Sequence, residues 1–269
     1  MALFLVSLFQ QGKSHTIIEC CHYAIKHFHK IADLPDRTQS NLLCYVLEPS
    51  KRVRHKSTKK KEPITTEHLE KIYDSLNKDN ISLLDLRNWT LMILGYTGFL
   101  RYNEISQLTL GDLEFHGSYL KVFILSSKTD QYKEGRWLYI AKSNAKMCSV
   151  SIVLKYIQRA KIVEEEEYLF RGVVYRKSMQ DYELRKKNKP ISYSTARNHV
   201  LNLLDRIGLK SELFGLHSLR SGGASTAANN GVPDRLFKNH GRWRSESVKD
   251  GYVHDNVNEL LSVSLKLGF

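Results

Sequence analysis

Between Lys51 and Lys61 the chain reads Lys-Arg-Val-Arg-His-Lys-Ser-Thr-Lys-Lys-Lys, with no acid and Val53 as its only aliphatic residue. Like charges at this density repel one another, and a single valine makes no buried face, so one hydrophobic core cannot run through the segment. Pro63 follows and disfavours helix just before it. The chain is therefore expected to divide into a small helical unit over 1–50, a basic linker over 51–63 and a larger domain over 64–269. A length of 269 residues suits two domains of ordinary size.

Composition sets the class of partner. Lys and Arg number 41 against 28 Asp and Glu, a net charge of +13, while 42% hydrophobic residues supply a real core. A disordered chain is excluded on that balance. An excess of positive charge on a folded protein favours a polyanion, because Lys and Arg release the counterions condensed on phosphates. Nucleic acid ranks first and an anionic membrane surface second. The four cysteines, Cys20, Cys21, Cys44 and Cys148, show no CxxC and no spacing with histidine that builds a zinc site, so they read as reduced thiols of an intracellular protein and no metal is expected. The apolar start Met1 to Phe9 lacks a basic leader and a small-residue cleavage site, and reads as a core-facing helix. No stretch approaches the roughly 20 apolar residues of a membrane span.

Along the chain, Ile17, Ile18, Cys21, Ala24, Ile25 and Phe28 recur at helical spacing within residues 3–47. The unit begins abruptly, as though a leading helix were missing. Beyond Pro63, Thr65 or Thr66 is placed to cap a helix, and Leu84 to Tyr96 forms a strongly apolar one ending at Gly98. Alternation in Tyr119 to Leu125 and in Arg136 to Ile140 predicts a β-hairpin around a polar tip. Helices are expected again over 149–160, 194–207 and from Leu216 onward, interrupted by a basic loop at Arg185-Lys-Lys-Asn-Lys189. The fold class is mainly α with a small antiparallel sheet.

Candidate chemistry is concentrated late in the chain. His217 and Arg220 stand three apart at the start of a predicted helix, near its positive end, which suits an anion. Arg101 lies between two helices, with Glu104 placed to pair with it and fix its orientation. Lys128 sits at the hairpin tip. Trp243 alone reads as core, and Tyr252 is one of 14 tyrosines. What distinguishes them is their order, together with a step of nine positions from Trp243 to Tyr252.

The ordered set Arg, Lys, His-x-x-Arg, Trp and Tyr resembles the catalytic pattern of the tyrosine recombinases, the phage-integrase, Xer and Cre superfamily. Thr97-Gly-Phe-Leu-Arg-Tyr-Asn-Glu-Ile-Ser-Gln-Leu108 is similar to the family's first arginine box, and Leu216-His-Ser-Leu-Arg-Ser-Gly-Gly-Ala224 to its second. Ser127-Lys-Thr-Asp-Gln131 resembles the lysine hairpin of recombinases from DIRS-like and Crypton-like eukaryotic mobile elements. The family often carries histidine where Trp243 stands, and His240 is a competitor for that role, but the nine-residue step favours Trp243.

The resemblance implies a two-domain enzyme with a shortened helical core-binding domain of SAM-like type and a catalytic domain over 64–269. It implies cleavage and rejoining of double-stranded DNA through a 3′-phosphotyrosine, with no cofactor, as a homotetramer on paired sites. Arg101 and Arg220 would each offer paired N–H donors to a scissile phosphate, and Trp243 an indole N–H. Tyr252 would be the nucleophile; a phenol of ordinary pKa near 10 needs those arginines, or His217 as proton acceptor, at neutral pH. Lys128 would protonate the departing 5′ oxygen. Lys51, Arg52, Arg54, Lys56, Lys59, Lys60 and Lys61, with Arg185, Lys186 and Lys187, are the residues expected to meet the DNA backbone. A eukaryotic-element source implies the nucleus, and a bacterial or phage source the cytoplasm. The alternatives are a DNA-binding derivative that no longer recombines, a type IB topoisomerase-like enzyme, and a basic scaffold for RNA or acidic proteins. No complete Walker A loop or HExxH is present, and the Glu164 to Glu167 run reads as the solvated face of a helix.

Overall fold

The computed structural model describes residues 1–36, 38–54, 60–76, 80–125 and 134–267. The chain divides into two compact units, Met1–Lys60 and Lys61–Phe269. In the first, α1 (Ala2–Gln10), α2 (His15–Ile31) and α3 (Asn41–Arg54) pack around Leu5, Ile18 and Leu43. Ser14 caps α2 by accepting from the backbone N–H of Ile17. Only part of the expected stripe is inside: Ile18 is fully buried, whereas Ile17 and Phe28 are exposed. The apolar start likewise buries Leu5 and leaves Leu3 and Phe4 in solvent.

The linker expected over 51–63 is corrected at both ends. Lys51, Arg52 and Arg54 belong to α3, whose backbone runs on to Arg54. At the other end, Glu62 N–H donates to Leu213 O and Ile64 N–H to Ser218 O, each at 2.9 Å, and Lys61 Nζ donates to Glu212 O. These bonds recruit residues 61–64 into the second unit. Lys56 and Lys59 lie outside the described residues.

In the second unit, Thr65 caps α4 (Thr66–Ser75), and α5 (Leu83–Thr97) ends at Gly98 as the sequence predicts. A short α6 (Tyr102–Ser106) follows. The expected hairpin is present as β2 (Tyr119–Ile124) and β3 (Arg136–Ala141), and a third strand, β1 (Leu113–Phe115), extends it to an antiparallel sheet in the order β1-β2-β3. Leu120 pairs with Ile140 and Val122 with Leu138, which turns one apolar face into the core. Lys128, with the rest of 126–133, lies outside the described residues.

Next come α7 (Ser149–Ala160), a second small sheet of β4 (Val173–Arg176) and β5 (Asp181–Leu184), and α8 (Tyr193–Arg206). The run Glu164 to Glu167 is a turn rather than a helix face: Glu167 accepts from the N–H groups of Val163 and Glu164 and pairs with Arg171 at 2.7 Å. The chain continues through α9 (His217–Asn229), α10 (Asp234–Gly241), α11 (Glu246–Asp250) and α12 (Val257–Leu265). Among the described residues, no helix is long and apolar enough to cross a membrane.

Candidate active site

Two helices buried on nearly every side form the frame of the site. In α5, every residue from Leu86 to Tyr96 is buried, and in α9 every residue from Ser218 to Ser225. Small residues allow α9 to approach so closely: a Cβ on Gly223 would lie 2.0 Å from the carbonyl oxygen of Tyr96. The close approach aligns the C-terminal end of α5 with the first half of α9, so Arg101, just beyond α5, meets Arg220, one turn into α9. Between them Phe99 takes a left-handed φ of 48°, a costly conformation for a residue with a Cβ. Its carbonyl oxygen accepts from both Arg220 and Arg242.

Glu104 is the hub. Its carboxylate is buried, with Oε1 2.9 Å from Arg101 Nη1 and Oε2 2.9 Å from Arg242 Nη2, while the Arg101 N–H donates to Oε2 at 2.8 Å. Arg220 Nη1 stands 3.9 Å from the same Oε2. Burial by itself would raise the pKa of this carboxyl; Arg242, the Arg101 N–H, Arg220 and Arg101 together overcome it and hold the group below its ordinary value. Burial pushes the Arg220 guanidinium down to about 9, with Arg101 adding to the push and Glu104 opposing it. It remains charged at neutral pH.

Trp243 and Tyr252 close the other side. The Arg220 guanidinium carbon lies 4.8 Å from the Trp243 ring and 4.9 Å from the Tyr252 ring, cation–π distances that orient all three groups. Gly241 is required here, because a Cβ would fall 1.9 Å from the indole of Trp243. Arg220 Nη2 donates to Gly241 O at 2.6 Å, while Arg220 Nε and Trp243 Nε1 are buried and find no acceptor among the described residues. His240, the competitor for the place of Trp243, is bonded through Nε2 to Thr97 O at 2.8 Å. Burial and then the neighbouring arginines depress its pKa against the pull of that carbonyl, so it stays neutral and occupied.

The Tyr252 backbone is held as firmly. Its N–H donates to Lys249 O, and Ser225 Oγ donates to its carbonyl. The buried Lys249 ammonium pairs with Asp234, with Glu246 at 2.7 Å and with Asp250 at 3.4 Å, tying α10 to α11 just before the tyrosine.

The structure thus brings together Arg101, Glu104, Arg220, Trp243 and Tyr252, five residues read from the sequence. His217 opens α9 one turn before Arg220 and is exposed. Arg185, Lys186 and Lys187 follow β5 on an exposed loop pinned by Asn188, whose Oδ1 accepts from Tyr168 N–H and whose Nδ2 donates to Glu166 O. Arg185 and Lys187 join Lys189, the buried Arg87, Ser192 and Thr195 in lining an open cavity of about 780 Å³. Sequence reasoning missed Arg242 and Lys249. Arg242 stood in the string Gly241-Arg-Trp243, but a basic residue in a polar segment reads as surface.

Comparison with known proteins agrees with this architecture. Residues 62–259 match the family model described as the phage integrase family, and the chain belongs to that family. An integrase/recombinase xerD homolog from Selenomonas ruminantium is 29% identical over 194 residues, 72% of this chain and 54% of that protein. The chain therefore spans about half the length of the curated relative it matches. Among solved structures, the XerH site-specific recombinase bound to palindromic difH substrate in a post-cleavage complex superposes with a TM-score of 0.67 at 19% identity, covering 98% of this chain and 70% of that one. The Tn1549 transposon integrase in complex with transposon right-end DNA gives 0.64 at 15% identity, covering 99% and 84%. The fold is that of the tyrosine recombinases.

Proposed function

We propose that this chain is a site-specific DNA recombinase that cleaves and rejoins double-stranded DNA through a 3′-phosphotyrosine on Tyr252. One observation carries the reading: within one chain, Arg101 and Arg220 face the buried carboxylate of Glu104, and the rings of Trp243 and Tyr252 gather on the Arg220 guanidinium. Buried donors without acceptors are costly, and phosphate oxygens would satisfy Arg220 Nε and Trp243 Nε1. As charge builds on the pentacoordinate phosphorus, two fixed guanidinium groups oppose it. The Tyr252 hydroxyl gives its proton to a base, for which His217 is the candidate, and its oxygen forms the new P–O bond as the bond from phosphorus to the 5′ oxygen breaks. That oxygen leaves with a proton, and the reverse attack by a 5′-hydroxyl restores the diester without ATP. Because Tyr252 lies against Arg220 of its own chain, cleavage is assigned in cis. A DNA-binding derivative without chemistry has no use for this convergence.

The test is covalent trapping. The protein is incubated with nicked suicide duplexes whose arms are randomised in sequence, and a denaturing gel is read for a protein–DNA adduct. An adduct on a selected subset supports the reading, and none on any duplex sinks it.

Lys128 is proposed as the general acid, on the strength of the resembling string Ser127-Lys-Thr-Asp-Gln131. Lys128→Ala should slow adduct formation on ordinary DNA by about a hundred- to ten-thousandfold, yet recover on a substrate with sulfur as the 5′ bridging atom, because a thiolate leaves without protonation. A defect that persists on the sulfur substrate would assign Lys128 to phosphate binding and the acid to another group.

The basic segment before the second unit, and the loop of Arg185, Lys186 and Lys187, are proposed to track the DNA backbone. Replacing Lys56, Lys59 and Lys60 together with Gln should weaken binding to every duplex and flatten the log–log dependence of affinity on salt by about 0.9 for each phosphate no longer neutralised. A gel-shift titration at several salt concentrations checks it. Assembly as a homotetramer on paired sites is likewise proposed; the apolar side chains of Val257, Leu260, Leu261 and Leu265 on α12 stand exposed and support a protein interface there. The assignment to DIRS-like or Crypton-like mobile elements rests on the lysine string, and would put the protein in the nucleus. The similarity to a Selenomonas protein supports the cytoplasm of a bacterium instead.

A further inference from the structure

Arg242 occupies a backbone position suited to glycine. It caps the C-terminal end of α10 with a φ of 55°, which costs a residue with a Cβ about 1 kcal/mol or more. Its side chain runs inward and is buried. There the guanidinium donates to Glu104 Oε2 and His240 O at 2.9 Å, to Phe99 O at 3.2 Å and to Gly98 O at 3.3 Å. Gly98 and Phe99 belong to the turn that leads directly into Arg101, so this one side chain ties the end of α10 to the segment presenting the first arginine.

The same bonds divide the Glu104 carboxylate. Oε1 serves the Arg101 guanidinium, and Oε2 is filled by the Arg101 N–H and by Arg242. Arg220 is left 3.9 Å from Oε2, outside hydrogen-bond reach, with its Nη groups on the carbonyls of Phe99 and Gly241. Without Arg242, Oε2 would be stripped of its guanidinium partner, and Arg220, already 3.9 Å from that oxygen, could move in to replace it while Arg101 stays on Oε1. The move needed is about 1 Å, from a 3.9 Å approach to a charge-assisted bond near 2.9 Å. It would draw the guanidinium away from the rings of Trp243 and Tyr252.

We infer that Arg242 is a positioning residue: by occupying Glu104 Oε2 it keeps the Arg220 guanidinium off the carboxylate and against Trp243 and Tyr252, where a phosphate is to be bound. This rests on the phosphoryl-transfer reading above and adds to it a residue outside the resembling set. The Nη groups of Arg242 are spent on Glu104 and three carbonyls, while its Nε, like that of Arg220, is buried without an acceptor among the described residues. Arg242 acts through Arg220 and Arg101.

The test uses Arg242→Gly and Arg242→Lys in the full chain, with a suicide duplex selected by the wild-type protein. Three quantities are read: the rate of adduct formation, the affinity for intact duplex by gel shift, and the cooperativity of melting by circular dichroism. Arg242→Gly relieves the left-handed strain while removing the guanidinium. Its rate should fall about a hundredfold, the usual consequence of a displacement near 1 Å at a reacting centre, with affinity within about threefold of wild type. Arg242→Lys should fall between the two, since an ammonium can reach the carboxylate but cannot hold the three carbonyls as well. A Gly variant within threefold of the wild-type rate overturns the inference, as does one whose rate and affinity fall together. If the Gly variant does not melt cooperatively, the Lys variant decides: about a tenfold slower rate at unchanged affinity supports the assignment, and an unchanged rate overturns it. Wild-type protein that forms no adduct overturns the reaction itself, whereas equal adduct in wild type and Arg242→Gly leaves the reaction standing and removes only Arg242 from it.

Discussion

Tyr252→Phe is expected to abolish covalent attachment to DNA while leaving affinity for intact duplex within a few-fold of wild type. The substitution removes one oxygen and keeps the ring that packs 5.7 Å from Trp243 and 4.9 Å from the Arg220 guanidinium. The two arginines would therefore keep their places, and binding through the basic surfaces would be untouched. A phenylalanine ring has no lone pair to form the P–O bond, so the effect on adduct formation is all or none. An adduct surviving in the Phe variant would mean that another tyrosine attacks or that the site assignment is wrong. Paired gel-shift and denaturing-gel assays on one suicide duplex separate the two quantities.

Glu104→Gln is expected to have the largest effect on stability. The carboxylate is buried and faces three arginines, two of them almost wholly buried themselves. Removing one member of a buried ionic cluster leaves the others uncompensated and typically costs about 3–5 kcal/mol. In a unit of this size that corresponds to a fall in melting temperature on the order of 10 °C. The pH dependence follows from the sign of the shift. The Glu104 carboxyl is depressed in the folded protein, so its contribution is fully present above the ordinary glutamate value of 4.5 and is lost as pH falls through the lower folded value. The gap in melting temperature between wild type and Glu104→Gln should therefore be constant from neutral pH down to about 5 and close in more acidic solution. A gap independent of pH down to about 3 would show that Glu104 acts through shape rather than charge.

Local pattern made much of the second unit legible. The apolar run of α5 with its glycine stop, the alternation of β2 and β3, and the cap at Thr65 are all written in neighbouring residues. The strands β1, β4 and β5 were not legible, because three or four residues are too few for alternation to stand out. Their placement depends on partners elsewhere in the chain, as when Asp181 accepts from the Leu83 N–H at the start of α5. The boundary of the first unit is hidden from the sequence for a related reason. Charge marked 51–61 as one segment, whereas the backbone continued α3 through Arg54 and gave residues 61–64 to the second unit.

For the site, the order of residues, the nine-residue step and the family resemblance they carry single out Arg101, Lys128, His217, Arg220, Trp243 and Tyr252 in the sequence, with Glu104 as the partner of Arg101. What the order could not carry is which charge each arginine answers to. That was decided by the packing of α9 against α5, which places Arg101, Arg220 and Arg242 around one carboxylate too small to serve all of them equally. His240 and Arg242 look interchangeable with other polar residues of their segment in sequence, and take their parts from long-range bonds, to Thr97 O and to Glu104. Sequence determines which side chains are available and the local geometry that carries them. Only the tertiary structure decides how a buried charge is shared, because that depends on burial and distance among residues more than a hundred positions apart in the chain.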